Sequence, residues 1–477
     1  MKNYIYIILA IGLVFSSCTK DFDEINENPN SSENIDPQFL LANVISVLGN
    51  ENTYTQGFRL SNYLAQFAAS VEFERIDRYE MGTNGQHWDL LYGLLTDINS
   101  MQSVEGTNEA YQAVGDIMKS YIFSQLTDLW GDVPYSEALM ARDGVTQPKY
   151  DTQEAIYTDP STGILAVLKN AVQTLENTSA SIKGDVMFNG NLNKWIRFAN
   201  ALQVRYYLRI SDRISDFSAL QGLWKAGQLM ESNADNAVLP YLANAPNQNP
   251  VSQFSLGLYQ EHRMTKTAEN ILKSWDDPRI GVIYRPTEKS ANAGQAEYLG
   301  IQNGQSRETI SANNIDLGEV SLFGAVYRDV PNGVDMLFML YAEQQFALAE
   351  AALKGYIDAE AEALYQSGVT AHFNYLGLEV PDDYFDQETV ALDGDGDLEK
   401  IMTQKWISLV SNGHEAWFNV RRTGYPDLKP GPDNLNEGMY PVRYLYPESE
   451  QATNAEHYEE AVQRLGGDNI NNPVWWD

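Results

Sequence analysis

Across 477 residues there is one cysteine, Cys18. It has no partner for an intrachain disulfide, so a disulfide-stapled scaffold is excluded. Histidine is scarce as well: His87, His262, His372, His414 and His457 never fall at metal-ligand spacing. No run of eighteen apolar residues occurs, so no segment reads as a membrane-spanning helix. Basic residues number 32 against 65 acids, a formal charge of −33. That balance argues against nucleic acid as a partner, because phosphate binding needs a basic surface. It disfavours polyanionic ligands more weakly, since salt screens exposed charge beyond roughly 10 Å. Solubility, or life in a salty medium, also accounts for it. A GxSxG elbow, an HExxH pair, a Walker A loop and a GxGxxG turn after a strand are all missing. Paired carboxylates carry no information among 65 acids. No enzyme, no metal and no cofactor is expected.

What is present is the composition of a folded chain, 43 % hydrophobic and 20 % charged. The length allows one large domain or two to three ordinary ones. Aromatic residues reach 11 %, with 28 tyrosines and 9 tryptophans; most belong in a core, leaving some for ligand contact. Residues 1–17 read as a secretory signal: Lys2, an apolar stretch from Tyr4 to Phe15, then Ser16 and Ser17 before Cys18. An unpaired cysteine in an exported chain is a free thiol, an intermolecular bridge or a modified anchor. The stretch "FSSC" resembles a bacterial lipobox, cut before a cysteine that is then acylated, so Cys18 is expected to carry lipid. Each buried methylene adds about 0.8 kcal/mol, and two or more acyl chains would hold the protein stably. Asp21, Asp23 and Glu24 resemble the surface-export signals of Bacteroidetes lipoproteins. Residues 18–36, including "NENPNSSEN", then form a flexible tether with a turn at Asn28-Pro29.

Helical periodicity dominates the remainder, 37–477, which reads as a single domain. Val114, Ile117, Tyr121, Ser124 and Leu126 approximate one face of a helix ended by Gly131 and Pro134. Trp195, Phe198, Ala199, Leu202, Tyr206 and Ile210 mark an amphipathic helix of five or six turns. Residues 334–356 and 361–377 read as a helical hairpin broken at Gly355, with Ala347, Ala351 and Ala363 allowing close approach. The pair resembles a tetratricopeptide unit without a clean period of 34. Strand-like alternation is scarce. Long irregular stretches rich in Asn, Gly, Pro and aromatics occupy 240–262, 284–333 and 423–457, and such loops in a compact domain are usually functional. The run Asp393, Asp395, Asp397 mimics half a calcium loop. Leu398 and Gln404 stand where that loop needs glycine and a bidentate acid, so a turn capping a helix is favoured.

Several ordered blocks then carry a resemblance: "QLTDLWGDVPYSEAL" (125–139), "QPKYDTQEAIY" (147–157), "GDVMFNGNLNKWIRFANALQVRYYLRIS" (184–211) and "YAEQQFALAEAALKGY" (341–356). With "LEKIMTQKWISLVSNGHEAWFNVRRTGYPDL" (398–428) and the ending "NNPVWWD", they resemble the SusD/RagB family in its SusD-like branch. The resemblance implies a mainly α fold, with tetratricopeptide-like helix pairs on one side and an irregular, loop-rich ligand face on the other. It implies an outer-membrane lipoprotein facing the medium, lying as a lid over a SusC-type TonB-dependent β-barrel. Such a protein captures oligosaccharides, or sometimes oligopeptides, for import and performs no chemistry on them. The acidic surface favours a neutral glycan. Arg421, Arg422, Gly424, Tyr425 and Pro426 sit where a helix hands over to a turn and are read as structural, Trp475 and Trp476 as staples of the chain end, and Trp88 as core.

A sugar-binding face should combine aromatic faces for pyranose C–H groups with amides and guanidinium groups for hydroxyls. Three loops offer that mix. The first supplies Phe73, Arg75 and Tyr79, the second Asn249, Gln253, Phe254, Tyr259, Gln260 and Arg263, and the third Tyr298, Gln302, Phe323 and Tyr327. Three or more coplanar exposed aromatics would favour glycan, and a narrow groove beside the barrel-facing side would favour peptide. A flat face would favour a purely structural lid.

Overall fold

The computed structural model describes residues 35–254 and 260–477. Cys18, the expected signal, all but the end of the expected tether, and Tyr259 lie outside the described residues, as do the side chains of Gln253 and Phe254. The first described helix, α1 (Pro37–Asn50), begins with proline at its first turn and with Asp36 accepting from the Gln38 amide at 3.0 Å. Helices α2 (Gly85–Ser103), α3 (Glu109–Trp130), α4 (Ile164–Asn177) and α5 (Leu192–Arg209) follow. Asn108 caps α3 by accepting from the Ala110 and Tyr111 amides, and Gly131 ends it. The expected face of α3 is buried, and so is nearly every other side of it, because α2, α4 and α5 all pack around it. Trp88, Trp130 and Trp195 lie in this first core.

Among the described residues the strands form three two-stranded antiparallel sheets. They pair β1 (Ala68–Ser70) with β5 (His262–Met264), β2 (Val133–Pro134) with β3 (Tyr150–Asp151), and β4 (Ala237–Pro240) with β6 (Asp335–Met339). The last pair corrects the sequence reading. The start of the expected helix, "VDMLFM", is the buried strand β6, and the helix proper is α6 (Tyr341–Leu353). A short apolar run satisfies either period, and pairing with β4 decides it. The hairpin does break at Gly355, in the left-handed region at φ 72°, and returns as α7 (Ala361–Tyr375). Ala347 and Ala351 are buried as expected, but Ala363 is exposed. The close approach is made by Gly368, where a Cβ would lie 2.7 Å from Cε1 of Phe346.

Helices α8 (Asp397–Ser408) and α9 (Gly413–Thr423) complete a second core with α6 and α7. Buried ion pairs tie these helices to one another and to the first core. Arg422 grips Glu350 through two bonds of 2.6 Å, and Lys354 adds a third at 2.9 Å. Arg205 holds Glu343 bidentately, and Arg209 holds Glu415. Arg421 binds the Asp477 carboxylate and the Asp128 carbonyl, while Trp476 donates from Nε1 to Asp128 at 2.6 Å. The arginine motif and the terminal tryptophan are therefore structural ties that fix α9 and the chain end. Each pair is costly to break, because one partner's removal strands a buried charge. The acidic turn at 393–397 is also engaged. Asp397, the first residue of α8, accepts from the Asp393 and Gly394 amides, closing the turn backwards instead of capping the helix, and Lys400 pairs with Asp393.

Candidate ligand-binding groove

Pairing of β1 with β5 sets Ala69 opposite Arg263 and Ser70 opposite His262. Bridges from Arg263 to Leu322 and from Thr265 to Ile301 then bring the third loop alongside. All three loops singled out in the sequence thus meet at one place. Between them lies an open groove of about 390 Å³. Its apolar bed belongs to a small cluster of Val71, Ile301, Ile310 and Val320 with Ala69. Polar groups rim it: Glu72 from the first loop, Gln260 and Glu261 from the second, and Arg307, Ser311 and Asn314 from the short helix 307–312 and its exit.

The electrostatics of the rim are mixed. Glu72 and Arg307 face each other at 3.7 Å, both more than half exposed, a loose pair that a ligand hydroxyl can displace. Burial pushes the Glu261 carboxyl up, with help from the Glu72 charge. Arg263 is buried, and its Nη1 donates to the Leu317 and Val320 carbonyls at 3.0 and 3.1 Å. Burial, and repulsion from Arg328, bring it down to about 10. Its buried Nε has no protein partner. Asp77 secures the first loop from beneath. Fully buried, it accepts from the Ser70 amide at 3.0 Å and the Gly304 amide at 2.9 Å, joining β1 to the third loop. Burial pushes its carboxyl up to about 7.

The expected residues divide sharply. Phe73, next to Glu72, is 65 % exposed and is one of two exposed aromatic side chains among the described residues, Phe39 being the other. Gln260 and Arg263 line the groove, although Arg263 serves mainly to tie down the 317–320 rim. Arg75 is spent on an ion pair with Glu80. Tyr79 is a correction: it is buried at φ 67°, its ring edge-on to Tyr440 and its hydroxyl bonded by Gln66. Phe323 is another, fully buried among Phe58, Tyr284 and Tyr327. Asn249 is a third, since its amide and side chain hold the Pro331 and Tyr327 carbonyls. Tyr327 lines a separate cavity, Tyr298 is half-buried against the second core, and Gln302 is exposed without lining the groove. Loop aromatics fold inwards here because each large ring gains more by filling the core under its own loop than by facing water. Glu72, Glu261, Arg307 and Asn314 were not singled out; their signal was only their position within the three loops.

Comparison with known proteins gives consistent results. A SusD-like family profile described as starch-binding and associating with the outer membrane matches residues 29–447. No curated protein matches the chain. Among solved structures, an outer-membrane protein of Bacteroides vulgatus described as involved in nutrient binding superposes with TM-score 0.82 at 27 % identity, covering 93 % of this chain and 100 % of that one. A chitin-binding SusD homologue from Flavobacterium johnsoniae gives 0.78 at 26 % identity, covering 92 % and 98 %. A SusD homologue from Bacteroides fragilis gives 0.79 at 26 % identity, covering 91 % and 99 %.

Proposed function

The chain belongs to the SusD-like family of starch-binding proteins that associate with the outer membrane, and from that premise we propose that it captures a neutral oligosaccharide at the cell surface for a SusC-type TonB-dependent transporter. The observation that carries this reading is the convergence of three loops on one open groove. There an apolar bed and carboxylate, amide and guanidinium groups lie together, and exposed Phe73 follows the lining residue Glu72 in the chain. Carboxylates accept from sugar hydroxyls, amides and guanidinium groups donate to them, and a ring face covers pyranose C–H groups. The rim's near balance of charge suits an uncharged ligand. Acylated Cys18 and a tether over 18–36 would anchor the domain 37–477, its helical side against the barrel. Among the described residues no helix is long and apolar enough to cross a membrane, which is compatible with a lipid anchor. The protein binds and hands over its ligand without altering it.

One observation favours a second reading, an oligopeptide receptor of the same architecture. Among the described residues no aromatic lines the groove, and Phe73, next to Glu72 in the chain, is the one exposed aromatic of its three loops, fewer than the three that a stacked glycan platform would present. Affinity electrophoresis of the mature chain against starch, chitin-derived and other neutral polysaccharides decides between them. Retardation by at least one glycan is expected. Retardation by none, with saturable binding of defined peptides, overturns the proposal.

A further inference from the structure

A second cavity, of about 130 Å³, lies away from the groove, between the 326–335 segment, the end of α7 and the turn after α8. Part of its lining is aliphatic, from Val326, Val334, Leu337 and Val410. The polar lining comes from Asp335, His372, Tyr375 and Tyr327, with Ser408 and Ser411. Asp335 and Tyr375 are half-buried, while His372 and Tyr327 are buried.

The charge on that polar lining is unbalanced. Asp335 accepts the Tyr375 hydroxyl at 3.0 Å, and among the described residues no cation pairs with it. His372 cannot serve as one. Its Nδ1 lies 2.9 Å from Nη1 of Arg279, and a guanidinium only donates, so the ring is neutral with its proton on Nε2. Arg279 itself is fully buried and neutralised by Asp277 at 2.6 Å, with Tyr384 and Gln404 completing its cage. The cavity therefore contains one carboxylate, two tyrosine rings and no compensating positive charge. A half-buried carboxylate whose one partner is a neutral hydroxyl favours a cation beside it, and aromatic faces attract cations. Size narrows the ligand further. An apolar cavity of about 150 Å³ holds one benzene, so this one admits about six non-hydrogen atoms.

We propose that this cavity binds an alkylammonium group, a primary amine on a chain of four or five carbons, with Asp335 as counter-charge beside the rings of Tyr327 and Tyr375. The chemistry is shared by free small amines and by the lysine side chain of a peptide. It stands independently of what occupies the groove.

Calorimetric titration of the mature chain at pH 8 tests it, with n-butylammonium chloride as probe, n-pentanol as the uncharged counterpart, and Nα-acetyl-lysine amide as the peptide arm. Saturable one-to-one binding of butylammonium is expected, with n-pentanol at least tenfold weaker. Asp335→Asn keeps an acceptor for the Tyr375 hydroxyl and should weaken butylammonium at least tenfold while leaving n-pentanol unchanged. Val410→Phe fills the aliphatic part and should abolish both, circular dichroism confirming that each variant is folded. Binding of the lysine amide assigns the site to peptide side chains; its failure beside butylammonium binding assigns it to free amines. No saturable butylammonium binding, or equal binding to Asp335→Asn, overturns the proposal.

Discussion

Replacing Asp77 by asparagine isolates the group on which the ligand loops rest. The carboxyl is buried, accepts two backbone amides through Oδ2, and has no partner for Oδ1. Burial, working against those two bonds and aided by Glu74, raises it from 3.8 to about 7. The folded state thus holds a proton that the unfolded chain releases near pH 4. Its contribution to stability is complete below that value and is lost as pH rises through about 7. A shift of roughly three pH units corresponds to about 4 kcal/mol. Asparagine keeps the acceptor, never ionises, and adds a buried donor whose lack of a partner costs roughly 1–3 kcal/mol. Wild type should therefore be the more stable at pH 4 and the variant at pH 8, with a swing of about 4 kcal/mol between them. At about 2.1 cal/mol/K per residue, the unfolding entropy of the whole chain approaches 1 kcal/mol/K, so the Tm difference should swing by about 4 °C. Paired thermal melts from pH 4 to 8 measure this, since other titrations cancel between the two proteins. Hydrogen exchange at the Ser70 and Gly304 amides locates the effect. A Tm difference that stays constant across the range refutes the reasoning.

Other consequences are more local. Arg422→Met strands Glu350 in the core and should cost about 3 kcal/mol at pH 7 by urea unfolding. Burial raises that carboxyl, but Arg422 and Lys354 outweigh it and hold it at about 2, so its stabilisation is present above pH 4.5 and fades as pH falls towards 2. The deficit of the variant should shrink over the same interval. Gly368→Val drives a side chain into Phe346 and should destabilise by roughly 1–3 kcal/mol in a urea titration, with glycan binding unchanged. Phe73→Ala removes an exposed ring and should leave Tm within about 1 °C while weakening oligosaccharide binding about tenfold, as measured by calorimetry.

The helices were legible because their apolar spacing and stops lie within a single segment: Val114 to Leu126 ahead of Gly131, Trp195 to Ile210, and Gly355 between α6 and α7. The strand β6 was not, since its partner β4 lies about a hundred residues away and nothing local reports the pairing. Ala363 was mistaken for the contact that Gly368 makes, because both sit in one helix and only the facing Phe346 distinguishes them. At the groove the sequence singled out the three loops, but neither their convergence nor which side chains face out. Tyr79, Phe323 and Tyr327 attract notice as aromatics, yet each anchors its loop from below. Glu72, Glu261 and Arg307 are indistinguishable in sequence from dozens of other surface charges until β1 and β5 bring them to one rim.

The groove as ligand site is tested most directly by a crystal structure of the mature chain soaked with the oligosaccharide that binds it best. Sugar density is expected along Glu72, Glu261 and Arg307, with a sugar ring against Phe73. Sugar bound elsewhere, with this groove empty, would contradict that assignment.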